Sequence, residues 1–126
     1  MSDAPRFTAT CPIFRSFDAA KARAFYLDWL GFEALFEHRF HTGAPLYMAV
    51  RRGDLVLHLS EHHGDATPGS AAFVWMDGIR AFHAEIMARP YANNRPGLEQ
   101  ASWGLQCQVT DPFGNRITFC EAATAP

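Results

Sequence analysis

The chain lacks what several large function classes require. No apolar run approaches the roughly 18 residues of a membrane span, and the opening MSDAPRFTAT carries no basic-then-apolar leader. Lys and Arg number 11 against 13 Asp and Glu, a formal net charge of −2, so there is no basic footprint for nucleic acid or an acidic membrane surface. Cysteine is scarce: Cys11, Cys107 and Cys120 are an odd, poorly spaced set for a disulfide framework. Each lies in an apolar stretch, which reads as buried thiols in a reducing cytoplasm. Zinc spacings are missing too, with neither H-x-x-x-H on a helix nor C-x-x-C. There is no G-x-S-x-G elbow and no Gly-rich phosphate loop; TGAP and DPFGN are turns.

What the chain does have is apolar mass. Hydrophobic residues make up 48% of 126, enough for one sizeable core, and the residue span 1–126 reads as a single domain. Aromatics reach 13%, with 11 Phe and 3 Trp.

The order of elements repeats. RFTATCPIF alternates Phe7, Ala9, Cys11 and Ile13 as a strand does, and Pro12, lacking an N–H, assigns it to an edge. Asp18 offers an N-cap to a helix with Ala22, Phe25, Tyr26, Trp29 and Leu30 on one stripe, stopped by Gly31. Strands are predicted at Glu33–His41, Leu46–Arg51 and Leu55–Ser60. After a linker over 61–69, SAAFVWM reads as a strand, and Asp77 is placed to cap a helix carrying Ile79, Phe82, Ile86 and Met87. Beyond the loop RPYANNRPG, strands are predicted around Leu98–Gln100, Leu105–Thr110 and Arg116–Glu121, the last two joined by a turn at Asp111, Pro112 and Gly114. Strand–helix–strand–strand–strand thus occurs twice, in modules of about 6–60 and 70–121. The expectation is an α+β fold of two βαβββ modules whose curved mixed sheets surround a cleft.

LSEHHGDATPGS, at the junction, gathers Glu61, His62, His63 and Asp65. His58 and His62 are four apart, which aligns them on a helix but not across a strand end, so this stretch reads as a hydrated linker bordering a pocket. His83 sits at the edge of a helical apolar stripe and reads as structural. The aromatics outside the helical stripes, Phe36, Phe40, Phe73, Trp75 and Trp103, suit an apolar cleft with a few polar groups, the usual small-molecule site.

AFYLDWLGF, FVWMDGI and SWGLQCQVTDPFGNRITF resemble the glyoxalase / bleomycin-resistance superfamily, also called vicinal oxygen chelate proteins, over about Ala9 to Glu121. The resemblance implies the duplicated βαβββ fold and a homodimer whose ligand crevices are formed by both modules. Metalloenzymes of the superfamily carry ligands on the first and last strands of each module. Those positions here are Cys11, a residue near Ala71 or Ala72, and Thr118, which do not make a site of three or four ligands. The closer resemblance is to the bleomycin-binding resistance proteins, which carry no catalytic metal and act by sequestration. It places pocket residues at Phe36, Phe73, Trp103 and Ser60, another near Phe40, and an arm-crossing proline at Pro12. The expectation is a non-catalytic, cytoplasmic homodimer, free of cofactor, that sequesters an aromatic-bearing small molecule such as bleomycin. His58 joins Ser60 as a hydrogen-bonding group, and Glu61 and Glu99 supply rim charge. The alternatives are a metal-dependent lyase, isomerase or dioxygenase with ligands drawn from His58, His62, His63 and Glu121, and an interaction module with no small ligand.

Overall fold

The computed structural model describes residues 3–91 and 94–123; Met1, Ser2, Ala92, Asn93 and the last three residues lie outside them. The first module runs β1 (Ile13–Arg15), α1 (Ala19–Arg23), β2 (Glu33–His38), β3 (Tyr47–Arg52) and β4 (Leu55–Ser60). The second runs β5 (Ala71–Trp75), α2 (Ile79–Ala88), β6 (Leu98–Ala101), β7 (Gly104–Thr110) and β8 (Arg116–Ala122). Each module makes a four-stranded sheet of the same topology, β1-β4-β3-β2 and β5-β8-β7-β6, in which the outer strand β1 or β5 joins its neighbour in parallel. The repeat read from the sequence is therefore the architecture. β1 is an edge strand, and the carbonyl of Pro12 just ahead of it accepts the His58 N–H at 2.9 Å.

Strand alternation assigns each sheet two faces. In the first, Phe14, Met48, Val50, Leu57 and Leu59 are buried; in the second, Cys107, Val109, Ile117 and Phe119. Both sets belong to one hydrophobic cluster with the helix residues Phe25, Trp29, Leu30, Ile79, Phe82 and Ile86. The intervening positions form an open face on each sheet. The first has the rows Ile13–His58–Ala49–Phe36 and Arg15–Ser60–Tyr47–His38. The second has Phe73–Thr118–Gln108 and Trp75–Cys120–Gln106–Glu99.

Four local expectations need correction. The first strand is confined to Ile13–Arg15, so Phe7, Ala9 and Cys11 of the predicted alternation lie ahead of it, outside both sheets. The first helix is capped by Asp18, whose side chain accepts the Lys21 N–H, but after Arg23 it widens into a π-helical segment, Ala24–Trp29. There the Leu30 N–H reaches back to the Phe25 carbonyl at 3.0 Å. Large side chains anchor the segment to the other module: Trp29 Nε1 donates to the Ile86 carbonyl at 2.8 Å, and the Tyr26 hydroxyl to Asp111 Oδ2 at 2.7 Å. A π turn of this kind is not visible in a 3.6-residue stripe.

Asp77 does not cap α2. The N-cap residue is Gly78 at φ 81, and the donors are satisfied from the sheet: Glu121 Oε1 accepts both the Gly78 N–H (2.6 Å) and the Ile79 N–H (2.9 Å). Finally, β2 ends at His38 rather than His41, because its partner β3 begins opposite it at Tyr47 and Arg39 turns to donate to the Ala44 carbonyl.

Candidate functional site

On the open face of the first sheet, alternation and register bring Phe36, His38, Tyr47 and His58 side by side. Phe36 stacks on Tyr47 with ring centroids 6.3 Å apart and planes at 5°, and meets His58 edge-on at 5.9 Å. The Tyr47 hydroxyl and His58 Nδ1 share a hydrogen bond of 2.7 Å. Past the strand end, Phe40 stands between His38 (4.8 Å) and His62 (5.7 Å), edge-on to both, with 76% of its surface exposed. Phe36, His38, Phe40, Tyr47, His62 and Asp65 line a hollow of about 340 Å³. The Tyr47 hydroxyl is pushed above its ordinary pKa, first by burial and then by the negative charge of Asp65 and Cys11.

The second sheet presents its own set. Phe73 and Trp75 sit two apart on β5, their rings 4.9 Å apart and edge-on. Across the same face Trp103 lies 53% exposed, its indole N–H donating to Gln106 Oε1 at 3.0 Å. Gln106 is opposite Glu99 in the β6–β7 register. Gly104 makes the Ser-Trp-Gly corner possible: a Cβ there would lie 2.2 Å from the Glu121 carbonyl oxygen. Phe73 and Trp75 also border a hollow of about 550 Å³, with Thr10, Pro12, Phe32, Leu55 and Phe119 among its walls.

The residues singled out from the sequence therefore divide into groups. Phe36, Phe40 and His58 come together on the first sheet. Phe73 with Trp75, and Trp103 near Glu99, lie on the second, and among the described residues no ring contact joins the two sheets' sets. Ser60 is fully buried, donating to Asp65 Oδ2 and accepting the His62 N–H, so it builds the loop beneath the hollow. Glu61 is turned inward: its Oε1 accepts the Leu46 N–H at 2.9 Å and lies 3.8 Å from Arg39. Sequence reasoning did not single out Tyr47, His38 and Asp65 as site residues. Tyr47 and His38 would have followed from the pairing register of β2 and β3; Asp65 is brought in only by loop geometry.

The metal that the superfamily's enzymes hold does not fit this donor set. Its positions are Cys11, Ala71 or Ala72, and Thr118; alanine has no donor, and Thr118 faces Phe73 across the sheet. The alternative donors do not gather as a set: His58 and His62 both lie against the Tyr47 ring, apart from Glu121 and His63. Glu121 caps α2, His58 Nδ1 is bonded to Tyr47, and His63 lies in a turn bridged to Ala66. Among the described residues no group of three or more His, Cys, Asp or Glu is arranged to hold a metal ion. Cys107 and Cys120 are buried, and burial pushes the Cys107 thiol up to about 11, which removes it as a nucleophile. His83 Nε2 donates to the Pro96 carbonyl at 2.8 Å, a structural bond. No helix is long and apolar enough to cross a membrane among the described residues.

Comparison with curated proteins gave no match. Among solved structures, the bleomycin-binding protein from bleomycin-producing Streptomyces verticillus, complexed with copper(II)-bleomycin, is similar at a TM-score of 0.73 and 26% identity, over 95% of this chain and 100% of that one. A bleomycin-binding protein complexed with bleomycin shares the fold at a TM-score of 0.68 and 21% identity, over 93% of this chain and 100% of that one. A bleomycin resistance determinant encoded on the transposon Tn5 does so at 0.68 and 20%, over 94% and 100%. The family model described as "Glyoxalase superfamily protein" matches residues 3–125. With that match spanning both copies of the repeated sheet, the chain belongs to the glyoxalase superfamily.

Proposed function

We propose that this protein binds and sequesters an aromatic-bearing small molecule, of the bleomycin type, without transforming it. The observation that carries the proposal is the exposure of aromatic rings on both open sheet faces. Phe36, Phe40, Phe73, Trp75 and Trp103 are all exposed although an ample core was available, and bare rings in one fold are surface kept for a ligand or a partner. Hydrogen-bonding groups, His58 and Tyr47 on one face and Thr118, Gln106 and Gln108 on the other, accompany them. Similarity to proteins solved with bleomycin supports the same reading. In a homodimer, an open face of one chain would meet the open face of its partner, and each crevice would carry rings on both walls.

Trp103 tests this directly. A planar aromatic ligand, bleomycin first, should quench its fluorescence at one equivalent per crevice. Trp103→Ala should weaken binding by about 1–3 kcal/mol, the range for a lost stacking partner, or roughly five- to 150-fold. Its melting temperature should barely move, whereas truncating the buried Trp29 should destabilise by about 3–5 kcal/mol. Failure of bleomycin and every other planar aromatic to quench would refute the proposal. Metal analysis of protein purified without a His tag separates it from the enzyme alternative: one tightly held divalent ion per chain, lost with His58→Ala, would favour the enzyme.

A further inference from the structure

The hollow between Phe36, Phe40, Tyr47, His38, His62 and Asp65 has a chemistry that stacking alone does not use. Its walls are the rings of Phe36, Phe40 and Tyr47 and the imidazoles of His38 and His62; among the described residues its only carboxylate is Asp65, and no Lys or Arg lines it. Two arginines of this region direct their guanidinium groups to backbone carbonyls: Arg15 donates to the His62 carbonyl, and Arg39 to the Ala44 carbonyl beside Glu61. The faces of the Phe36, Phe40 and Tyr47 rings are electron-rich, and several such rings around one space attract a cation. Beyond the larger effect of burial, the nearby Asp65 carboxylate raises the pKa of the Tyr47 hydroxyl.

The lining also discriminates among cations. A primary ammonium presents three N–H donors and needs acceptors for them. Here one oxygen of Asp65 already receives the Ser60 hydroxyl, and the Tyr47 hydroxyl is bonded to His58. An alkylated onium has no N–H to satisfy and presents only a charged apolar surface to the rings. We propose that this hollow is a subsite for an alkylated organic cation, such as a quaternary ammonium, seated against Phe36, Phe40 and Tyr47 and neutralised by Asp65. The inference rests on the proposed function only in assigning the group to one end of a larger ligand. It also relocates the attraction for a cationic ligand from Glu61, which faces inward, to Asp65.

The test uses the full-length protein, followed by NMR, with choline, its neutral isostere 3,3-dimethylbutan-1-ol, and ethanolamine. Choline should shift resonances of Tyr47, His62 and Phe40 and bind about three- to thirtyfold more tightly than the isostere, the spread of cation–ring energies; ethanolamine should bind more weakly than choline. Asp65→Asn should cost choline most of that advantage and leave the isostere unchanged. Because Asp65 also receives Ser60, Phe40→Leu is the second variant: its exposed ring supports no core, and it too should weaken choline selectively. Equal affinity for choline and the isostere, insensitivity to both substitutions, or choline shifts confined to the second sheet would overturn the inference. Choline binding without bleomycin binding would refute the proposed function alone. Bleomycin quenching with no preference for choline would refute the subsite alone.

Discussion

A carboxylate on the last strand invites a metal reading, yet Glu121 spends its charge on a helix. Its Oε1 holds the Gly78 and Ile79 N–H groups at the start of α2, the end where backbone donors are unpaired and the helix dipole favours an anion. Glu121→Ala should therefore lower the unfolding free energy by about 0.5–2 kcal/mol, the range for a lost cap, measured by urea denaturation, with metal content unchanged. A loss of bound metal without a loss of stability would contradict this role. The cysteines make a second prediction at this scale. Cys107 and Cys120 are buried while Cys11 is half-buried beside the open face, so a thiol reagent at pH 8 should modify one cysteine per native chain quickly and all three after denaturation. Cys11→Ser should abolish the fast phase; two fast thiols would mean that the second sheet opens.

Among the elements, the joint between the modules is built from charge as well as apolar surface. At the end of β3, Arg52 donates two hydrogen bonds to Glu85 of α2 (2.7 and 2.8 Å) and one to the Leu30 carbonyl, and its guanidinium lies over the Phe82 ring; Arg89 pairs with Glu85 from the next turn. The hydrogen bonds from Arg52, followed by the charges of Arg52 and Arg89, hold the Glu85 carboxyl below its usual range against the opposing effect of burial. A depressed carboxyl stabilises the fold at pH values above the unfolded value of about 4.3 and ceases to do so as pH falls through the lower folded value. Glu85→Gln should therefore flatten the acid side of the stability–pH curve below about pH 5, by no more than about 1 kcal/mol because the pair is a third exposed; an unchanged curve would rule the clasp out. Neither this joint nor the Glu121 cap was legible in the sequence, since both link residues more than 30 apart whose types fit an ordinary solvated surface. The repeated element order was legible, because period-2 alternation, the Asp18 cap and the Asp-Pro-x-Gly turn are local signals. The site was legible by half. Phe36, Phe40 and Phe73 announce themselves as strand aromatics off the helical stripes, but Tyr47 joins them only through the β2–β3 register and Asp65 only through a loop.

For the whole molecule, the surface left open argues for a second copy. β1 and β5 each end a sheet, with one edge unpaired by another strand among the described residues, and such edges are open to a strand from elsewhere. The segment from Asp3 to Thr10 is exposed and outside both sheets, and Phe7 within it is 99% exposed. That segment leads through Thr10 and Pro12 along the wall of the 550 Å³ hollow that Phe73 and Trp75 share. A two-fold arrangement gives the arm of each chain the same place on the other, and burying one Phe contributes about 1.5–3 kcal/mol. The expectation is a homodimer in sedimentation equilibrium, with Phe7→Ala raising the dissociation constant by at least tenfold per arm. Removal of residues 1–10 should weaken it further while leaving the helical signal of each chain intact. If the partner completes the crevice, the same truncation should reduce Trp103 quenching by bleomycin in step with the loss of dimer. A monomer at every concentration that still binds the ligand at full affinity would mean that one chain builds the site alone, with Phe7 serving some other contact.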